Sequence, residues 1–102
     1  MSSFDKVYYL VSTIPKGKIT TYGTISKIIN LDPRVVGYAL HANKDSKNIP
    51  CHRVINSKGK ISSGYAFGGS DTQKEMLMNE GIIFDNENRV DLKRFGYLFS
   101  AF

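Results

Sequence analysis

Apolar residues recur at helical spacing near the start of the chain, where Phe4, Val7, Tyr8, Val11 and Ile14 share one face of a 3.6-residue repeat. Ser2 or Ser3 is placed to cap that helix, and Pro15-Lys16-Gly17-Lys18 ends it. Ile19-Thr20-Thr21 is short and β-branched, which predicts an extended connector whose threonines can cap the next helix. From Tyr22 to Asn30, Ile25, Ile28 and Ile29 fall on one helical face. Asn30-Leu31-Asp32-Pro33 then turns the chain into another helix, Pro33 to Ala42, with Asp32 as N-cap. Val36, Ala39 and Leu40 are its predicted core positions, and Gly37 is expected to allow close helix-helix approach. Two short helices joined by a tight turn predict a helix-turn-helix.

Beyond them, Arg53-Val54-Ile55 and Lys60-Ile61 flank Asn56-Ser57-Lys58-Gly59, which predicts a small β-hairpin or wing. The glycines around Tyr65 and Phe67 predict a loop, and Ser70 with Gln73 predicts a capping box for a helix that carries Met76 and Leu77 and ends at Glu80-Gly81. Ile82-Ile83-Phe84 reads as a short apolar strand or packing segment and Asp85 to Asn88 as a turn. The aromatic tail through Phe95, Tyr97, Leu98, Phe99 and Phe102 is expected to fold back on the core. The predicted architecture is one domain over residues 1–102, mainly α with a small β-hairpin, of winged helix-turn-helix-like form.

Composition narrows the function. With 41% apolar residues the chain can build a single core. One Cys permits no intramolecular disulfide, and one Cys with two His cannot complete a four-ligand zinc site without carboxylates, so neither metal nor cofactor is expected. The N-terminus lacks the pattern of a signal peptide and no stretch reaches membrane-spanning length; the expectation is a soluble, cytoplasmic monomer with no membrane contact. The net charge of +5 is uneven, with ten Lys/Arg against three Asp/Glu in residues 1–60 and four against six in residues 61–102. A basic half fits an anionic partner, nucleic acid above all, or a solvated basic face. Arg34 opposes the dipole of its own helix, which suits an arginine reaching towards nucleic acid or one solvated beside Asp32.

The candidate chemistry lies in Pro50-Cys51-His52-Arg53-Val54, where a thiol stands beside a base. A lone Cys in a small domain is most often an inert buried hydrophobe, so the pair gains meaning from its company. Taken with Thr21-Tyr22-Gly23, Pro33-Arg34-Val35-Val36-Gly37, Asn43, Gly68-Gly69 and Glu80-Gly81, it resembles the DNA-binding, active-site domain of O6-alkylguanine-DNA alkyltransferases.

The resemblance implies that Cys51 is the acceptor thiolate, that His52 takes its proton through a water, that Glu80 orients the imidazole and that Asn43 holds the turn ahead of the site. It implies too that Tyr22 donates to the leaving guanine, that the carbonyls of Cys51 and Val54 read its exocyclic amine, and that Tyr65 walls the pocket. In the same resemblance Arg34 fills the place of a flipped base, with Pro33, Val35 and Gly37 on the same DNA-facing helix. The implied partner is double-stranded DNA containing O6-alkylguanine, and the protein would be spent after one transfer.

Full-length members carry an additional N-terminal domain without counterpart here, and the interval from Cys51 to Glu80 is slightly longer than theirs. The residues from Glu80 to Leu92 resemble alkyltransferase-like proteins, which lack the acceptor cysteine and hand the lesion to nucleotide excision repair; a sensor of that kind is the alternative. The polar Lys44 to Asn48 segment suggests a pocket open to bulkier adducts. A sequence-specific regulator reading the major groove is a third possibility.

Overall fold

A computed structural model describes residues 2–61 and 67–99. Its helices form where local chemistry closes their ends. Helix α1, Ser3–Ser12, starts at Ser2, whose hydroxyl accepts from the Asp5 amide while the Asp5 carboxylate accepts from the Ser2 amide, a reciprocal box. Helix α2, Tyr22–Ile29, is capped by Thr21 and stops at Asn30 in the left-handed conformation. Helix α3, Pro33–Ala42, is capped by Asp32, with Pro33 at its first turn where no amide partner is lost. Val7, Leu10 and Val11 of α1, Ile25 of α2, and Val36, Ala39 and Leu40 of α3 make one buried cluster that also contains Cys51 and Val54.

A two-residue strand β1, Thr20–Thr21, pairs in parallel with β2, Val54–Ile55, in the register Thr20 to Val54 and Thr21 to Ile55. This corrects the expected hairpin. The Asn56 to Gly59 turn does form, closed by the Asn56 amide on the Lys60 carbonyl at 3.0 Å, but the strand partner of Val54–Ile55 is the threonine pair. The small sheet therefore ties the connector before the helix-turn-helix to the segment after the cysteine. Beneath it a second cluster gathers Ile19, Ile55, Leu77, Ile82, Val90 and Phe95.

Helix α4, Gly69–Asn79, begins at Gly68 without a side-chain cap, so the Ser70 and Gln73 capping box is not formed; Gln73 is buried instead. A short helix α5, Leu92–Phe95, is capped by Asp91. Phe84 bridges Val90 across the Asp85 to Asn88 turn, and Ile83 is exposed. In the tail, Phe95 is buried, and Tyr97 and Phe99 meet edge-on and pack against the first cluster. Leu98, by contrast, is 90% exposed, contrary to the expected inward packing. Phe102 lies outside the described residues. No helix among the described residues is long and apolar enough to cross a membrane.

Candidate active site

The segment that presents the cysteine is shaped by Pro50. With φ of −75° and ψ of 71° this proline makes an inverse γ-turn, and the Cys51 amide donates to the Ile49 carbonyl at 2.7 Å. The chain then continues as a single 3-10 turn, Cys51–Arg53, in which the Val54 amide donates to the Cys51 carbonyl. Asn43, at the end of α3, braces the approach: its Nδ2 donates to the Ile49 carbonyl and its Oδ1 accepts from the Asp45 amide, both at 2.9 Å. Asn43 is itself buried. Both bonds lie in the turn ahead of Cys51.

Cys51 is 4% exposed. Burial pushes its thiol pKa up, and the nearby Asn43 side chain and the Cys51 backbone offset this only in part. At rest the group is a protonated thiol, so any nucleophilic use requires a base.

His52 is the neighbouring base and is held from α4. Its Nε2 lies 3.0 Å from Glu80 Oε2, and the imidazole is 4% exposed in its side chain. Burial lowers the imidazole pKa, against the opposing pull of Glu80, while the Arg53 charge lowers it further. The neutral ring therefore places its proton on Nε2 towards the carboxylate. Nδ1 is then an acceptor, and it is a buried nitrogen with no hydrogen-bond partner among the described residues. Among the described residues this is the one buried side-chain polar atom so left. An unsatisfied buried acceptor on a neutral imidazole is the chemical form a general base requires.

Glu80 is shared with a third side chain. Arg53 donates from Nε to Oε1 at 2.9 Å and from its terminal nitrogen to Oε2 at 2.7 Å, a bidentate fork, and donates also to the Ile14 carbonyl at 2.6 Å. Burial pushes the Glu80 carboxyl up, but the hydrogen bonds from Arg53 and His52 and their charges outweigh it and hold it below the usual range. The carboxylate stays ionised and aimed. Gln73, 2% exposed, completes the grip of α4: its Nε2 donates to the His52 carbonyl at 3.0 Å and to the Val54 carbonyl at 3.2 Å.

The expected residues thus divide. Asn43, Cys51, His52, Val54 and Glu80 converge on one buried segment. Tyr22, the first residue of α2, packs half-buried against the cluster that holds Cys51. Tyr65 lies outside the described residues. Arg34 points into solvent with its side chain 80% exposed, forked onto the Asp32 carboxylate at 3.2 and 3.4 Å. Pro33 is exposed and Val35 and Gly37 are half-buried on the same helix. Gly37 has no heavy atom within 4 Å of an added Cβ, so the expected close helix-helix contact there is absent and the position faces open space. One turn beyond Arg34, Tyr38 is 64% exposed.

Three side chains escape sequence reasoning. Arg53 sits inside the motif but reveals its partner only in the fold. Gln73 has the spacing of a capping residue, although Gln73, Leu77 and Glu80 also fall at i, i+4 and i+7 on one face. Tyr38 lies four residues after Arg34, a legible sign of a shared outer face.

Comparison with known proteins adds the family. Residues 2–82 match the family described as 6-O-methylguanine DNA methyltransferase, DNA binding domain. The chain is 38% identical over 96 residues to a bifunctional methyltransferase/endonuclease of Picrophilus torridus, matching 92% of this chain but only 31% of that protein. It is 40% identical over 81 residues to alkyltransferase-like protein 1 of Schizosaccharomyces pombe, covering 78% of this chain and 75% of that one. Its fold superposes with a TM-score of 0.78 on S. pombe Atl1 in complex with damaged DNA containing O6-carboxymethylguanine, at 33% identity over 93% of this chain and 94% of the other.

Proposed function

The chain belongs to the DNA-binding-domain family of 6-O-methylguanine DNA methyltransferases, and from that premise we propose that it repairs DNA directly, moving an alkyl group from O6 of guanine onto Cys51. The observation that carries this reading is the buried, unpartnered Nδ1 of a neutral His52 whose other nitrogen is fixed on Glu80 beside the only cysteine.

In the proposed reaction the lesion is flipped out of the duplex, because a stacked alkyl carbon is out of reach of a thiol on a globular surface. His52 Nδ1 takes the Cys51 proton through an intervening water as the sulfur attacks the alkyl carbon. The S–C bond forms as the C–O6 bond breaks, and the electron pair stays on guanine. Tyr22 supplies a proton to the departing base, and the proton on His52 restores the phenol. The sum is a thioether on Cys51 and an unmodified guanine that has gained the Tyr22 proton, with the former thiol proton returned to Tyr22. Glu80, kept anionic by Arg53, stabilises the imidazolium formed on the way.

Arg34, on the exposed outer face of α3, is the side chain proposed to enter the stack, and the basic residues of the first half are proposed to meet phosphates. Release from Asp32 costs little, since exposed ion pairs of this kind hold weakly.

One observation favours a second reading, a sensor that binds the lesion and recruits excision repair without transfer: Cys51 is buried, and burial pushes its thiol pKa up, away from the thiolate. The two are separated by stoichiometry. A repair protein restores one lesion per chain and then stops, whereas a sensor leaves the lesion count unchanged while retaining selective binding.

A further inference from the structure

Helix α4 grips the reactive segment at two heights. Near its end Glu80 holds the side chains of His52 and Arg53, and two turns earlier Gln73 holds the backbone carbonyls of His52 and Val54 at 3.0 and 3.2 Å. Leu77, between them along the helix, is fully buried in the second cluster. The Gln73 amide nitrogen has two hydrogens and serves two carbonyls, an arrangement that uses its full donor capacity. Burying an amide is unfavourable unless such bonds are made, so the position specifies a donor facing this segment.

The two carbonyls that border the segment differ in what holds them. The Cys51 carbonyl is already engaged by the Val54 amide within the 3-10 turn. The Val54 peptide comes directly after, as the chain leaves that turn for β2, and without Gln73 its carbonyl has only a two-residue strand to fix its plane. A carbonyl oxygen has two lone pairs; a donor on one fixes the direction of the other.

We propose that Gln73 is a positioning residue that sets the Val54 carbonyl as acceptor for the exocyclic 2-amino group of the bound purine, so that α4 governs discrimination between purines with and without that group. The proposal rests on the reading of Cys51 to Val54 as the lesion pocket. Gln73 does not touch the base. It acts through the peptide it holds.

The test compares binding of two duplexes by the full chain carrying Cys51→Ser, so that affinity is read without transfer. One duplex contains O6-methylguanine and the other O6-methylhypoxanthine at the same place, which differs by the missing amine. The parent protein is expected to prefer the first by about tenfold, the scale of one hydrogen bond read in a pocket. Gln73→Met, which keeps length and removes both donors, is expected to bring that ratio below about threefold while affinity for the hypoxanthine duplex stays within about twofold. A fall in both affinities with the ratio preserved would mark a purely structural role and overturn the proposal.

Should Gln73→Met fail to fold, the side-chain amide resonances of Gln73 in the parent protein give the same answer. They shift on binding the amine-bearing duplex and much less with its counterpart, and equal shifts overturn the assignment. If the parent protein does not prefer O6-methylguanine over undamaged duplex, the lesion-pocket reading itself fails and this proposal with it. Selective binding with a ratio indifferent to Gln73 removes this proposal alone.

Discussion

His52 carries two pH dependences that run in the same direction. Burial lowers its pKa in the fold below the ordinary 6.5, so the unfolded chain binds the proton more readily. The stability this group contributes is complete above about 6.5 and is lost as pH falls from there towards the folded value. Glu80, lowered from 4.5, adds a further loss at more acidic pH. Urea midpoints are therefore expected to fall between about pH 7 and pH 5, and His52→Gln, which cannot titrate, is expected to flatten that part of the curve. A slope unchanged by the substitution would contradict the buried neutral imidazole. In the proposed transfer the same shift would act on the rate. Because the base must be neutral, the acid limb of the alkyl-transfer rate is expected below pH 6.5, displaced in the direction of the folded pKa.

Helix α4 and helix α3 make contrasting demands. Glu80→Gln leaves the Arg53 guanidinium buried with its charge unmatched, and such broken buried pairs cost about 3–5 kcal/mol. Glu87→Gln breaks an exposed pair with Arg89, with side chains 62% and 49% exposed, and is expected to stay within about 1 kcal/mol. Denaturant unfolding of both variants checks the difference. On α3, Gly37→Ala is expected to stabilise by up to about 1 kcal/mol through helix propensity, since nothing in the fold opposes a methyl there. If DNA docks closely on this face, the same substitution weakens duplex binding while raising the melting temperature. The first three helices are legible in the sequence because their caps are local: Ser2, Thr21 and Asp32 each sit one residue before the first residue of a helix that carries an apolar repeat. The parallel pairing of Thr20–Thr21 with Val54–Ile55 is not, as two-residue strands carry no period and their pairing is set by tertiary contacts. For the same reason the cysteine motif can be read directly, while Gln73 and the Arg53 to Glu80 fork emerge only when α4 is placed against it.

At the scale of the whole molecule, the basic character of the first half survives with one subtraction, for Arg53 is neutralised internally by Glu80. Lys6, Lys16, Lys27, Arg34, Lys44, Lys47, Lys58 and Lys60 remain exposed. Affinity for duplex DNA is thus expected to fall linearly on a logarithmic salt scale, for damaged and undamaged duplexes with similar slopes, since phosphates supply that term in both. On the proposed function, selectivity for the lesion is expected to reside in the buried segment around Cys51. The most direct test of the central claim is the intact mass of the protein after incubation with a duplex containing a single O6-methylguanine, beside Cys51→Ser. A gain of one methyl group on the parent chain, mapped to Cys51 and absent from the variant, is the predicted result. An unchanged mass, with the damaged duplex still bound selectively, would contradict transfer and leave the protein a sensor of the lesion.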